Sequence, residues 1–303
     1  MSGPEPEAPQ GEAARRVAVR GVLAVGAAYL LWGLFPVYFK ALAGVPPFEV
    51  LAHRIAWSTV FMGLLLTVLR RWDGALRQLR APGTLKALAL SAVFISLNWV
   101  IYIWAVGAGH LVEASLGYFV NPLVSVLLGV FFLKEPLSAL QRWAVGLAAT
   151  GVVILMVWLG RPPWVALALA LTFAFYGLIR KRVAVDSMTG LTAEVVILLP
   201  AALGWLVWRG SQGLLRYGSD PHATALLTAA GVVTAVPLLL FGAGVRKIRL
   251  STVGLLQYSN PTMQLAIAVF AFGEPFTVAH GVAFAFIWAG IVLYTWDALR
   301  RRG

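Results

Sequence analysis

The stretch "EASLGYFVNPLVSVLLGVFFLKEP", residues 113–136, is apolar over most of its length. Yet it carries Asn121-Pro122 at its centre and Glu135-Pro136 at its end. The same punctuation returns at Asn260-Pro261 and Glu274-Pro275, each displaced by 139 residues. Proline has no N–H, so Pro122 cannot bond the carbonyl of Tyr118, and Pro261 leaves that of Gln257 unpaired. In hydrocarbon an unsatisfied carbonyl costs roughly several kcal/mol, and it persists where protein or a water-filled cavity serves it. Two such breaks, each with an asparagine amide beside it, predict a cavity near the membrane midplane. The alternative is that each proline only kinks its helix for packing.

The surroundings of this stretch make the membrane the relevant solvent. Of the 303 residues 60% are hydrophobic and 12% charged, with mean hydropathy +0.83, where soluble domains carry about 25% charged residues. A helix crossing the hydrocarbon core needs about 20 mostly apolar residues. Ten such spans are predicted, at 20–40, 48–69, 85–107, 113–133, 138–159, 163–180, 188–208, 223–245, 250–272 and 277–298. Alternating the loops places nineteen Lys and Arg on one side and four, Lys40, Arg161, Arg209 and Arg216, on the other. Basic residues favour the cytoplasm, so both termini are expected there. The net charge of +12 thus reads as topology, with no call for a nucleic-acid partner. Residues 1–18, rich in Pro and Glu, are expected to be a disordered cytoplasmic tail.

The 139-residue offset, with a weaker echo between Trp32-Gly33-Leu34 and Tyr176-Gly177-Leu178, divides the chain into five-helix repeats, 19–159 and 160–299. Five is odd, so the second copy enters from the opposite face. This is the inverted architecture that secondary transporters use. The fold class expected is therefore an all-α membrane protein of ten transmembrane helices.

Few polar residues interrupt the spans. His53 and Arg54 lie about two turns inside span two, and an intramembrane arginine faces a cavity or a partner, or else snorkels to the interface. Glu49 and Glu113 are the expected partners of Arg54. His53 and Glu194, the latter well inside span seven, are candidates for coupling to a proton; for Glu194 the alternative is an ion pair with Arg180 or Lys181. Asn98 and Tyr102 share one face of span three, Tyr118 and Asn121 one face of span four, and Gln257, Asn260 and Gln264 one stripe of span nine. In span one Trp32, Pro36 and Lys40 recur every fourth residue, and Pro36 joins Pro122, Pro237 and Pro261 as an expected helix break. Aromatic walls with few hydrogen-bonding groups suit a flat, partly apolar organic solute. In span ten, Gly281, Ala285 and Ala289 permit close contact, either in a homodimer through helices five and ten or within the chain.

Cysteine is absent, which excludes disulfides and thiolate metal sites. No lysine follows a glycine, and neither His-Glu-x-x-His nor Gly-x-Ser-x-Gly occurs, so phosphate-loop, zinc-protease and esterase chemistry lack their residues. No cofactor or metal is expected.

The runs "AAYLLWGLFPVYFK" (27–40), "HRIAWS" (53–58), "NWVIYIWAV" (98–106), "EASLGYFVNPL" (113–123), "FAFYGLIRK" (173–181), "VTAVPLLLF" (233–241), "RLSTVGLLQY" (249–258) and "FAFIW" (284–288) resemble the RarD family, in the EamA group of the drug/metabolite transporter superfamily. The resemblance implies two EamA modules and an inner-membrane permease whose central cavity is lined by helices one, three, four, six, eight and nine. On this chain that points to Trp32, Tyr38, Asn98, Tyr102, Tyr118, Asn121, Tyr176, Thr234, Gln257, Tyr258 and Asn260 as substrate-binding. The function expected is a secondary transporter of a small organic metabolite or drug, working by alternating access and directed to efflux. An intramembrane lipid-processing enzyme and a passive channel are the alternatives.

Overall fold

The computed structural model describes residues 8–134, 137–245, 247 and 256–300. Glu135-Pro136, Arg246, Arg249 and the expected start of span nine at 250–255 lie outside the described residues. Among those described, all regular structure is helical: α1 Ala8–Gly33, α2 Phe35–Ala41, α3 Pro47–Val68, α4 Trp72–Leu79, α5 Thr84–Gly107, α6 Leu111–Leu133, α7 Ala139–Leu159, α8 Trp164–Arg182, α9 Ser187–Ser211, α10 Pro221–Val245, α11 Ser259–Ala266 with a π turn at Ile267–Ala271, and α12 Val278–Arg300. Among the described residues eight spans are long and apolar enough to cross a membrane, the first formed by α1 and α2 together. The apolar part of α8, Trp164–Arg180, is shorter.

Local chemistry sets several helix ends. Asp186 starts α9 by accepting from the Thr189 N–H (3.0 Å). Ser138 and Gln141 exchange side-chain-to-backbone hydrogen bonds at the start of α7 (3.0 Å each), the reciprocal cap that satisfies two orphan donors. Gly160, at φ 64°, ends α7 in the left-handed conformation that glycine adopts without strain.

The prolines behave less uniformly than their sequence symmetry suggests. Near Pro36, α1 stops at Gly33 and Pro36 sits in the first turn of α2, while Leu34 between them keeps helical dihedrals and bonds the Leu30 carbonyl (3.0 Å). Around Pro261 the chain turns at Tyr258, and the proline occupies the first turn of α11, where its missing N–H is no loss. By contrast α6 continues through Pro122 and α10 through Pro237. The expectation of breaks at these two prolines is therefore corrected. A proline inside a helix removes one hydrogen bond, and packed neighbours let the remaining turns carry the helix onward. At the N-terminus α1 begins at Ala8, and residues 1–7 lie outside the described residues.

Helices pair in a reciprocal pattern: α6 with α8, α5 with α8, α1 with α10, α3 with both α9 and α10, and α7 with α12. The α7–α12 contact shows its origin at atomic scale. A β-carbon placed on Gly151 would meet the Ala283 carbonyl oxygen at 2.7 Å, and one on Gly290 would meet that of Ala144 at 2.6 Å. Gly151 and Gly290 are 139 residues apart, as are Ala144 and Ala283. The contact runs through these small residues, whereas Ala285 and Ala289 of the expected stripe point outward and are exposed.

Candidate functional site: a caged arginine between helices

Arg54 lies two turns into α3 and is only 6% exposed, so it does not snorkel. Neither expected carboxylate reaches it. Glu49, fully buried, accepts the backbone N–H groups of Arg216 (2.8 Å) and Tyr217 (2.9 Å). Glu113 accepts the Val165 N–H at the start of α8 (3.0 Å) and lies 3.8 Å from Arg161 and 3.9 Å from His110. Glu274 likewise receives the Leu111 and Val112 N–H groups opening α6 (2.9 and 2.8 Å). These acids serve orphan amides, two of the three at helix starts, where negative charge is stabilising. That use of a carboxylate depends on which loop folds over it, which spacing along the chain does not reveal.

Arg54 is surrounded instead by rings. Its guanidinium carbon lies 4.1 Å from the Trp99 ring centre, 5.6 Å from Phe39 and 5.7 Å from Phe35. Nε donates to the Thr234 hydroxyl (2.9 Å), joining α3 to α10 across 180 residues. Among the described residues no carboxylate oxygen lies within 4 Å of this guanidinium. Tyr102, 4% exposed, packs edge-on against Phe39 (5.9 Å) and Tyr118 (5.6 Å), and its hydroxyl has no hydrogen-bond partner. The Tyr38 hydroxyl donates to the Leu226 carbonyl (2.8 Å). Of the predicted binding residues, Tyr38, Tyr102, Tyr118 and Thr234 thus gather about Arg54. Phe35, Phe39 and Trp99 complete the cage and were not singled out. Their signal was the i, i+4 spacing of Phe35 and Phe39 beside Pro36, and the i, i+3 spacing of Trp99 and Tyr102.

The other predicted residues lie elsewhere. Asn98 donates to the Leu169 carbonyl (3.0 Å) and Thr172 hydroxyl (2.9 Å), and Asn121 donates to the Ala170 carbonyl (3.0 Å). Both amides clasp α8. Trp32 belongs to a small cluster with Val25, Tyr29, Phe241 and Leu256. Asn260 accepts from Gln264 (2.8 Å), and Gln257 is half-buried. Tyr258 lines a lateral groove of about 450 Å³ with Phe119, Trp288 and Trp296. A second groove, about 290 Å³, lies between Leu31, Leu34, Val232 and Val236 and shares the walls Phe35 and Tyr38 with the arginine cage.

A second polar cluster occupies the opposite end of the bundle. Glu194, fully buried on α9, accepts from Ser91 (2.6 Å) and Tyr176 (3.4 Å) and lies 3.7 Å from Arg180. Close by, Gln78 and Asp186 exchange two hydrogen bonds, of 2.7 and 2.8 Å. Burial pushes the Asp186 carboxyl pKa up, but hydrogen bonds from Thr189 and Gln78 outweigh it and hold the group below its ordinary value. His53 keeps away from this cluster, stacked at 4.3 Å on Tyr217 with Nε2 buried and unpaired. Among the described residues no group of His, Asp and Glu could hold a metal ion.

Comparison with known proteins agrees with this architecture. The model of the EamA-like transporter family matches twice, over residues 19–157 and 162–296. The transporter YojE of Bacillus subtilis is 46% identical over 93% of this chain and 95% of its own. RarD of Streptomyces exfoliatus is 45% identical over 92% of this chain and 89% of its own, and RarD of Escherichia coli is 43% identical over 92% and 95%. A solved structure at 20% identity superposes with a TM-score of 0.61 over 93% of this chain and 99% of that one, which shows the fold is shared. Two matched segments, relatives aligned end to end and apolar helices throughout together establish that this chain belongs to the EamA-like transporter family, as a multi-pass membrane transporter of the RarD group.

Proposed function

We propose that the chain is a ten-span secondary transporter of two inverted repeats that moves a small organic solute across the cytoplasmic membrane by alternating access. Both termini are cytoplasmic in this reading, and export is the direction the family resemblance implies. The observation that carries it is the reciprocal contact of Gly151 with Ala283 and of Gly290 with Ala144. When position i of one copy touches position j of the other and j touches i, a two-fold axis relates the copies. Helices α7 and α12 then cross at that axis, and the repeats can rock against each other about it. Polar clasps lie at both ends of the bundle, Glu49 with residues 216–217 outside and Gln78 with Asp186 inside. Loosening one is expected to favour closure of the other.

The absence of native cysteine makes this testable by distance measurement between paired spin labels in liposomes. One pair, at Ala43 and Gln212, reports the outer face; another, at Arg80 and Ala184, reports the inner face. Glu49→Ala should lengthen the outer distance and shorten the inner one, and Gln78→Ala should do the reverse. If each substitution moved only its own face, the alternating mechanism would be wrong.

A further inference from the structure

We infer that Arg54, together with the Tyr102 hydroxyl, is the recognition point for a singly charged organic anion, a carboxylate carried on a flat apolar body. The inference rests on the transporter reading above and names its substrate class.

The argument begins with charge. Arginine stays protonated in proteins, and an intramembrane cation is retained where it has work to do. This one is nine-tenths buried and has no carboxylate beside it among the described residues. Thr234 occupies only Nε, which leaves the two terminal nitrogens, the fork that matches a carboxylate with two parallel hydrogen bonds. Tyr102 supplies a second donor, buried and unpartnered, in the ring cluster that walls the cage. An unmet donor in such a place costs stability, and an arriving acceptor relieves it. The cage contributes one cation, which sets the anion's charge at one. Phe35, Phe39 and Trp99 turn their rings to the guanidinium, and Phe35 and Tyr38 also wall the neighbouring apolar groove of about 290 Å³, which suits an apolar, planar body. A doubly charged or strongly hydrated ion would find no second counter-charge there.

The two acids expected as its partners do not pair with the guanidinium. Glu49 accepts the Arg216 and Tyr217 amides through Oε1, and Glu113 accepts that of Val165. A solute anion therefore completes an ion pair that the folded chain leaves half-made.

The test is ligand-dependent thermal stabilisation of the detergent-purified protein, using benzoate, phenylacetate and indole-3-acetate as probes, each against its neutral amide. Sodium chloride at equal ionic strength separates an organic anion from an inorganic one. At least one carboxylate should raise the unfolding temperature in a saturable way, while its amide and chloride do not. Arg54→Gln should abolish the effect, Arg54→Lys should restore part of it, and Tyr102→Phe should weaken affinity about 5- to 30-fold. Tyr102→Phe keeps its ring packing, so it remains informative if Arg54→Gln folds poorly. Equal stabilisation by amide and carboxylate, saturation by chloride alone, no response to any carboxylate, or a response unchanged in Tyr102→Phe and Arg54→Gln would overturn the inference. Binding is read without transport. Opposite movement of the spin-label pairs without carboxylate binding would remove only the substrate class; binding without such movement would remove only the transport mechanism.

Discussion

The guanidinium of Arg54 lies face-on to Trp99, 4.1 Å from the ring centre, with Thr234 as its hydrogen-bond acceptor. A desolvated cation–π contact is worth about 2 kcal/mol, less than the several kcal/mol (roughly) that a buried ion forfeits in leaving water. The contacts that the chain itself gives this cation therefore do not offset its desolvation. Arg54→Met should raise unfolding stability in detergent by about 1–3 kcal/mol, while eliminating solute binding. A variant that unfolds well below the parent would instead make Arg54 a structural residue.

Asn121 tells the opposite story. Its amide clasps the Ala170 carbonyl on α8, a neutral hydrogen bond worth on the order of 1 kcal/mol. Asn121→Ala should lower the unfolding temperature by that equivalent and leave carboxylate affinity within about twofold. A large affinity loss at unchanged stability would return Asn121 to the solute path.

Gly151 and Gly290 should behave as a matched pair. Adding a side chain at either position drives it into a carbonyl of the facing helix, and overpacking of this kind costs typically about 1–3 kcal/mol. Gly151→Val and Gly290→Val are expected to destabilise the protein similarly in denaturant or thermal unfolding. A severe loss at one site and none at the other would contradict the two-fold relation.

The Asp186 carboxyl has a folded pKa below its unfolded one. Its contribution is thus complete above the unfolded value, about 3.9, and is lost as pH falls through the lower folded value. Asp186→Asn should show a shallower loss of stability on acidification, visible in unfolding temperatures measured between about pH 3 and 7. At neutral pH the loss should stay below about 1 kcal/mol, because asparagine caps a helix about as well as aspartate. Identical acid limbs for the two proteins would refute this assignment.

Much of the helical layout could be read from the sequence, because long apolar runs between basic clusters leave little choice of secondary structure. Pro36 and Pro261 both lie in the first turn of a helix, where a missing N–H is easiest to accommodate. Pro122 is harder to read, because a proline inside a helix is also tolerated when neighbours pack around it, and neighbours are not visible in the sequence. The partner of Arg54 is hidden for a related cause. Opposite charges in nearby spans suggest a pair, but Glu49 and Glu113 satisfy main-chain amides brought in by folding. The cage itself was obscured by abundance: with 36 aromatic residues in the chain, no single Phe or Trp stands out.

α6 carries Pro122 in its interior, whereas Pro261 lies in the first turn of α11. A protein that works by exchanging two shapes would, if its copies were identical, rest equally in both. Any difference between the copies, such as the placing of these two prolines, tilts that energy landscape toward one resting posture. If the alternating-access proposal holds, that difference sets the side on which the transporter rests, and removing it should shift the resting posture without touching a group proposed to hold the cargo.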